Sequence, residues 1–309
     1  MTQTTLWYVN DKERDFKAME NQLAQGSFFT NSVNYPNFTL ESKVLNQELV
    51  ISTNKVQFNI YEYSFDGPTG TRIAGTLIMF EIQNKIGFIV DKASYPNALS
   101  FLREICGYGA EKKTIVCEQY DTSIRDGNMF LWIISKIYHN ESNIEYDTEH
   151  DTSQIILNSL DGVKGNIQMS LNSVSTQGSD VINTLTTLAF LLESKRLTEV
   201  GLNISFGVHK SIQLNIHTHS KLISLDVEPD VYIGELSNNR DLFSNGTTDL
   251  FVLRGAILLI VHLGLIPLLY SLYKSESDGA KIRDDLVSDI SEDITQRIRE
   301  LRKTTDLDI

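Results

Sequence analysis

Cysteine is almost missing from this chain: 309 residues carry two, Cys106 and Cys117. Two thiols cannot build a disulfide framework, so the expectation is a reducing, cytoplasmic setting with both thiols buried and inert. The opening MTQTTLWYVNDKERDF has neither a basic start nor an apolar run of signal-peptide length. Positive charge is short too. Lys and Arg number 27 against 40 Asp and Glu, a formal net charge of −13. Nucleic-acid binding draws most of its affinity from neutralised phosphates, so an acidic chain needs its basic residues gathered on one surface.

Catalytic signatures are also lacking. No Gly-rich phosphate loop, nucleophile elbow or metalloprotease helix motif occurs. His217-Thr218-His219 puts two imidazoles on one side of a strand, half of a metal site, but no cysteine or carboxylate cluster completes it nearby. Glu193-Ser194-Lys195 matches the Glu-x-Lys fragment of many nucleases. That fragment belongs on a strand with a second carboxylate upstream, whereas here it ends an apparent helix. A metal-dependent nuclease is thus a remote alternative, and the expectation is a non-enzymatic protein with no metal and no cofactor. Asp284, Asp285, Asp289, Glu292 and Asp293 read as a solvated helix face.

What the chain does have is ordinary globular composition, 41% hydrophobic and 22% charged, and length enough for two domains. It also has one long apolar run, Asp249 to Tyr273, with no formal charge from Gly255 onward except on a protonated His262. That approaches the ~20 residues of a membrane-spanning helix. Arg254, the central His262, and Gly264 with Pro267 argue instead for a buried core element. Pro267 predicts two helices or one kinked helix.

Upstream, periodicity predicts a strand at Leu6 to Val9 and a helix at Asp15 to Gln25. Residues 27–47 read as irregular. Strands at Glu48 to Thr53, Val56 to Phe65, Arg72 to Ile82 and Ile86 to Asp91 form an antiparallel meander, punctuated by Asp66-Gly67-Pro68-Thr69-Gly70 and by Asn84-Lys85. A helix from Asn97 to Ile105, a short strand from Thr114 to Cys117 and a buried helix ending near Tyr138 follow. The acidic NESNIEYDTEHDTS is the candidate domain boundary. Beyond it, strands at Ser153 to Leu160 and Gly165 to Val174 flank Asp161-Gly162. A helix from Ser179 to Glu193 precedes strands at Val200 to Phe206, Ser211 to His217 and Leu222 to Val227. In the tail, Ile282, Leu286, Ile290, Ile294, Ile298 and Leu301 make an apolar stripe on a charged helix. It serves either to dock on the parent domain or to pair with a second copy of the chain.

Lys112-Lys113, Lys195-Arg196 and the tail group Arg297, Arg299, Arg302 and Lys303 are the basic clusters. The order of elements and several local patterns resemble the RdgC family of bacterial recombination-associated proteins. TTLWYVN and MENQLAQGSFF are similar to that family's first strand and helix, and KIGFIVDKASYPNALSFLREICG to its strand entering a helix. ESKRLTEVGLNISF, SIQLNIH and KLISLDV are similar to its helix-end lysine and paired strands. TTDLFVLRGAILLIV is similar to its late helix. The likeness spans most of residues 4–265. Three features differ: MSLNSVSTQGSD carries no lysine or arginine where the family has a basic strand, a middle insertion is missing, and the tail beyond Lys274 is additional.

The resemblance implies a cytoplasmic, non-enzymatic protein forming a ring-shaped dimer around duplex DNA and limiting access of the RecA recombinase, with Lys195 as the carried-over basic position. The expected fold is therefore α+β, with two antiparallel-sheet-and-helix halves at 1–145 and 146–273 and an additional amphipathic helix at 274–309. The expected function is sequence-independent binding of double-stranded DNA by a homodimer, in recombination control or defence against mobile DNA, with Lys195, Arg196, Lys112 and Lys113 as candidate contacts. The alternative is an inner-membrane-associated or scaffolding component acting through residues 255–273 and a protein partner of the C-terminal helix.

Overall fold

The computed structural model describes residues 3–11, 14–25, 34–67, 69–91, 95–108, 114–125, 127–147, 152–167, 173–177, 185–219, 222–239, 242–243, 248–276 and 279–305. The first part of the chain forms β1 (Thr4–Val9), α1 (Phe16–Gln25), β2 (Thr39–Ile51), β3 (Asn54–Asp66), β4 (Arg72–Ile82), β5 (Lys85–Asp91), α2 (Tyr95–Ile105) and β6 (Ile115–Cys117). The middle forms α3 (Thr122–Arg125), α4 (Asn128–Tyr138), β7 (Asn143–Asp147), β8 (Thr152–Ile167), β9 (Ser173–Gln177), α5 (Leu185–Glu193), β10 (Ser194–Phe206), β11 (His209–His219) and β12 (Leu222–Glu228). The last part is helical: α6 (Leu250–Ile260), a π-turn (Val261–Leu265), α7 (Ile266–Glu276) and α8 (Gly279–Thr305). Helices and antiparallel strands together make this an α+β fold.

By Cα proximity the chain divides into two units. The first comprises Met1–Gln119, Thr148–Asp151 and Ser224–Pro267; the second comprises Tyr120–Asp147, Thr152–Ile223 and Leu268–Ile309. This partition interleaves along the chain, while the sequence suggests contiguous pieces ending at 145 and 273. Long-range strand pairing is the reason, since β12 returns to β1 with Thr4 opposite Leu225.

In the first unit the strand order is β2-β3-β4-β5-β1-β12, with β6 also pairing β1. The meander expected from turn chemistry is present. Gln83 and Asn84 both have positive φ, 50° and 59°, and link Ile82 to its partner Lys85. Two left-handed residues in a two-residue loop match the twist of the flanking strands. The turn therefore lies one residue earlier than Asn84-Lys85. Leu77, Ile78, Met79 and Phe80 are all buried in succession, so both faces of β4 are covered. One cover is α6, which approaches closely: a Cβ at Gly255 would lie 2.8 Å from Ile60 Cδ1. β2 begins at Thr39, inside the stretch expected to be irregular.

The apolar run starts at an Asp249 cap, whose carboxylate accepts from the amides of Phe251 and Val252. It then runs helically through the π-turn, where Ile266 N–H donates to Val261 O. That five-residue bond widens the helix just before Pro267, which has no N–H to give. The expected break is thus absorbed as a bulge within one helix. Of its most apolar 18-residue window, 78% is buried. Its Arg254 and His262 both have partners. Arg254 spans Asp91 at 3.0 Å and Asp226 at 3.1 Å, both carboxylates being buried. Thr4 Oγ1 donates to Leu225 O at 2.9 Å and meets His262 Nε2 at 3.0 Å, so the ring presents Nε2–H to that hydroxyl. Burial pushes the His262 pKa down to about 3.

The second unit has the strand order β11-β10-β8-β7, with β9 also on β8. Two expectations change here. The acidic segment offered as a boundary contains β7, which pairs with β8 from Asn143↔Ile156 to Asp147↔Thr152. Asp161-Gly162 does not separate two strands. β8 runs through it, and the register slips there, with Gly201 opposite Gly162 and Leu202 opposite Leu160. Glycine serves bulges as well as turns, which is why the dipeptide misleads. The apolar α4 buries Met129, Phe130, Ile133 and Ile134. α8 packs on α4 and α5, with Leu286 2% exposed and Ile290 1% exposed. His139 Nε2 to Asp289 Oδ2, at 2.9 Å, joins α4 to α8 at the surface. Of the tail stripe, Ile282 and Ile294 are half-buried and Ile298 is 41% exposed. The side chain of Leu301 lies outside the described residues.

Candidate nucleic-acid interface

α5 passes into β10 without a linker: Glu193 ends the helix and Ser194 begins the strand. The strand thus starts six residues before the expected Val200. Its first turns of pairing are irregular. Ser194 faces Ile167, Arg196 faces Asn166 and Leu197 faces Gly165, with a register slip between Ser194 and Arg196. Lys195 falls in that slip. A bulge bends its strand and re-aims local side chains. The other wall comes from the α3–α4 junction. Gly127 has φ +84°, and a Cβ there would sit 2.8 Å from Leu197 O. Only glycine combines that left-handed backbone with so close an approach.

This packing brings the guanidinium groups of Arg196 and Arg283, and the backbone carbonyl of Arg125, from three distant segments to one strand end. Arg196 is exposed and donates from Nε and Nη2 to Arg125 O, at 3.0 and 2.7 Å. That carbonyl closes α3, where a cation is favoured by the helix end. Arg283 of α8 donates to Ser194 O. Arg125 is half-buried, and its Nε lacks a hydrogen-bond partner among the described residues. A carbonyl orients a guanidinium but leaves its charge in place. No described carboxylate forms an ion pair with Arg125 or Arg196. In an acidic chain the exposed Arg196 is thus a positive charge with no described carboxylate in ion-pair range.

The other basic positions fare differently. Lys164 meets Glu199 at 3.3 Å, and Glu199 also takes His217 Nδ1 at 3.1 Å. The His217 hydrogen bond, assisted by Lys164, holds the Glu199 carboxyl below its ordinary range. His217 is therefore committed to a carboxylate within the sheet, and the side chain of His219 lies outside the described residues. Lys112 and Lys113 also lie outside them. The Lys195 backbone is described, its side chain is not. Arg297 is tied to Asp293 at 2.8 Å, while Arg302 and Lys303 are exposed at the end of α8. Cys106 and Cys117 are buried, and desolvation pushes both thiols up to about 12. They are not thiolate nucleophiles at neutral pH.

Sequence reasoning found Arg196 and the Lys195 position but missed Arg125 and Arg283. Both left a trace. Arg125 stands two residues before a helix-starting glycine, and Arg283 lies three residues before Leu286, in phase with the docked face of α8. No protein-family model matches this chain, and no curated protein is significantly similar to it.

Proposed function

We propose that this chain is a non-enzymatic protein that binds double-stranded DNA without sequence preference, the head of β10 supplying its phosphate contacts. The observation that carries the reading is the exposed Arg196 guanidinium, fixed on the Arg125 carbonyl beside Arg283 at residues 194–197, with no described carboxylate in ion-pair range of Arg196. Guanidinium groups bind phosphate oxygens through charge-assisted hydrogen bonds and position a duplex without reading bases. Arg196 supplies one such phosphate contact. The resemblance to the RdgC family supports the same reading and adds a cytoplasmic homodimer acting in recombination control or in defence against mobile DNA. The acidic balance elsewhere predicts weak binding that is steeply sensitive to salt. Fluorescence anisotropy with a labelled duplex of arbitrary sequence tests this. Binding at low salt that fades as salt rises is expected, and absence of binding at low salt refutes it.

The scaffolding alternative draws on a different observation, the exposure of Ile298 on α8 beyond the docked Leu286 and Ile290. That half of the helix is the surface a protein partner would meet. Burial of the apolar helix favours core filling over lipid contact for residues 255–273.

A further inference from the structure

The first unit contains a cleft of about 860 Å³ at the edge where β1, β5 and β6 meet. Its size falls within the range of small-molecule sites. Strand register sets what lines it. Tyr8 pairs with Gly87 of β5 on one side and Val116 of β6 on the other. Strand alternation then puts Tyr8, Lys85, Val116 and Glu118 on one face of the sheet. The Tyr8 ring is braced edge-on by Phe80, with centroids 5.9 Å apart.

Glu118 is the unusual member. Its backbone N–H is used, donating to Leu6 O at 3.0 Å, yet its half-buried carboxylate has no hydrogen bond or ion pair among the described residues. Burial raises its pKa, and Lys85 opposes that rise without coming into ion-pair range. The other cation of the cleft is occupied. Arg14 lies over the Tyr108 ring at 4.8 Å, donates to Cys106 O at 2.8 Å and has Asp11 at 3.8 Å. A partly desolvated carboxylate and an aromatic ring lining one cleft, close enough that the Glu118 charge adds to burial in raising the Tyr8 pKa, are the groups that attract an organic ammonium, by charge and by the ring quadrupole together. We propose that this cleft binds a small molecule bearing a primary ammonium group, with Glu118 as counter-ion and Tyr8 as aromatic wall. Lys85, exposed on the same face, competes with the ligand for Glu118. This site is separate in sequence and chemistry from the guanidinium cluster, and neither depends on the other.

Calorimetric titration of the full chain with 1,5-diaminopentane, at neutral pH and fixed ionic strength, tests the proposal, with 1,5-pentanediol as the uncharged control. Saturable binding of the diamine and none of the diol is expected. Glu118→Gln should weaken binding by about tenfold or more, the loss of one partly desolvated charge pair. Lys85→Ala, which alters only an exposed side chain, should tighten it several-fold. Equal binding of the diol, undiminished binding by Glu118→Gln, weaker binding by Lys85→Ala, or no saturable binding at all would each overturn it.

Discussion

Arg254 and Arg196 are the same residue put to opposite use. In the first unit, Arg254 is 17% exposed and lies between the buried carboxylates of Asp91 and Asp226. Its charge is cancelled where it stands, and the cluster holds α6 to the ends of two strands. In the second unit, Arg196 is exposed and its fork grips the Arg125 carbonyl. That contact fixes direction without cancelling charge. Burial with two acids makes a guanidinium structural, and exposure against a carbonyl leaves it able to meet an anion.

The contrast can be broken most sharply at Arg254. Arg254→Ala leaves two buried carboxylates without their cation and should cost about 3–5 kcal/mol in denaturant unfolding. Arg196→Ala should change stability by less than about 0.5 kcal/mol. Similar losses for the two would erase the distinction. The tail stripe allows a parallel comparison within one helix. Leu286→Ala, at a 2% exposed position, should cost about 2–4 kcal/mol, whereas Ile298→Ala should cost under about 0.5 kcal/mol.

A third effect is smaller and depends on pH. His262 stays neutral when folded because burial lowers its pKa to about 3, while the unfolded chain takes up a proton near the ordinary value of 6.5. The unfolded state therefore binds more protons as pH falls below 6.5, and stability drops. The slope contributed by this group approaches about 1.4 kcal/mol per pH unit. Unfolding measured between pH 6.5 and 5 should show that slope in the unaltered protein and lose it in His262→Gln. An unchanged slope in the variant would show that the ring titrates freely.

Much of this was legible in the residues themselves. Two-residue turns and alternating apolar residues revealed the meander, and the apolar run from Asp249 to Tyr273 pointed to a buried core element, although as two helices or one kinked helix. The start of β2 was not legible. Its early residues, Thr39 to Lys43, are mostly exposed in a strand at the end of the sheet order, so no burial pattern marks them. The cation cluster was half legible for a related reason. Arg196 and Lys195 are neighbours in sequence, but the Arg125 carbonyl is 71 residues from Arg196, and Arg283 is 89 residues from the Ser194 carbonyl it holds. Such separations are joined only by pairing β8 with β10 and docking α8 on α4 and α5, which no local pattern specifies.

The salt dependence of duplex binding tests the central claim most directly. Binding constants for the unaltered chain and for Arg196→Ala, measured across a range of salt, should give a log–log slope shallower by about 1 for the variant, the loss of one phosphate contact. Identical affinity and slope for the two proteins would contradict the assignment of the β10 head as the DNA-facing surface.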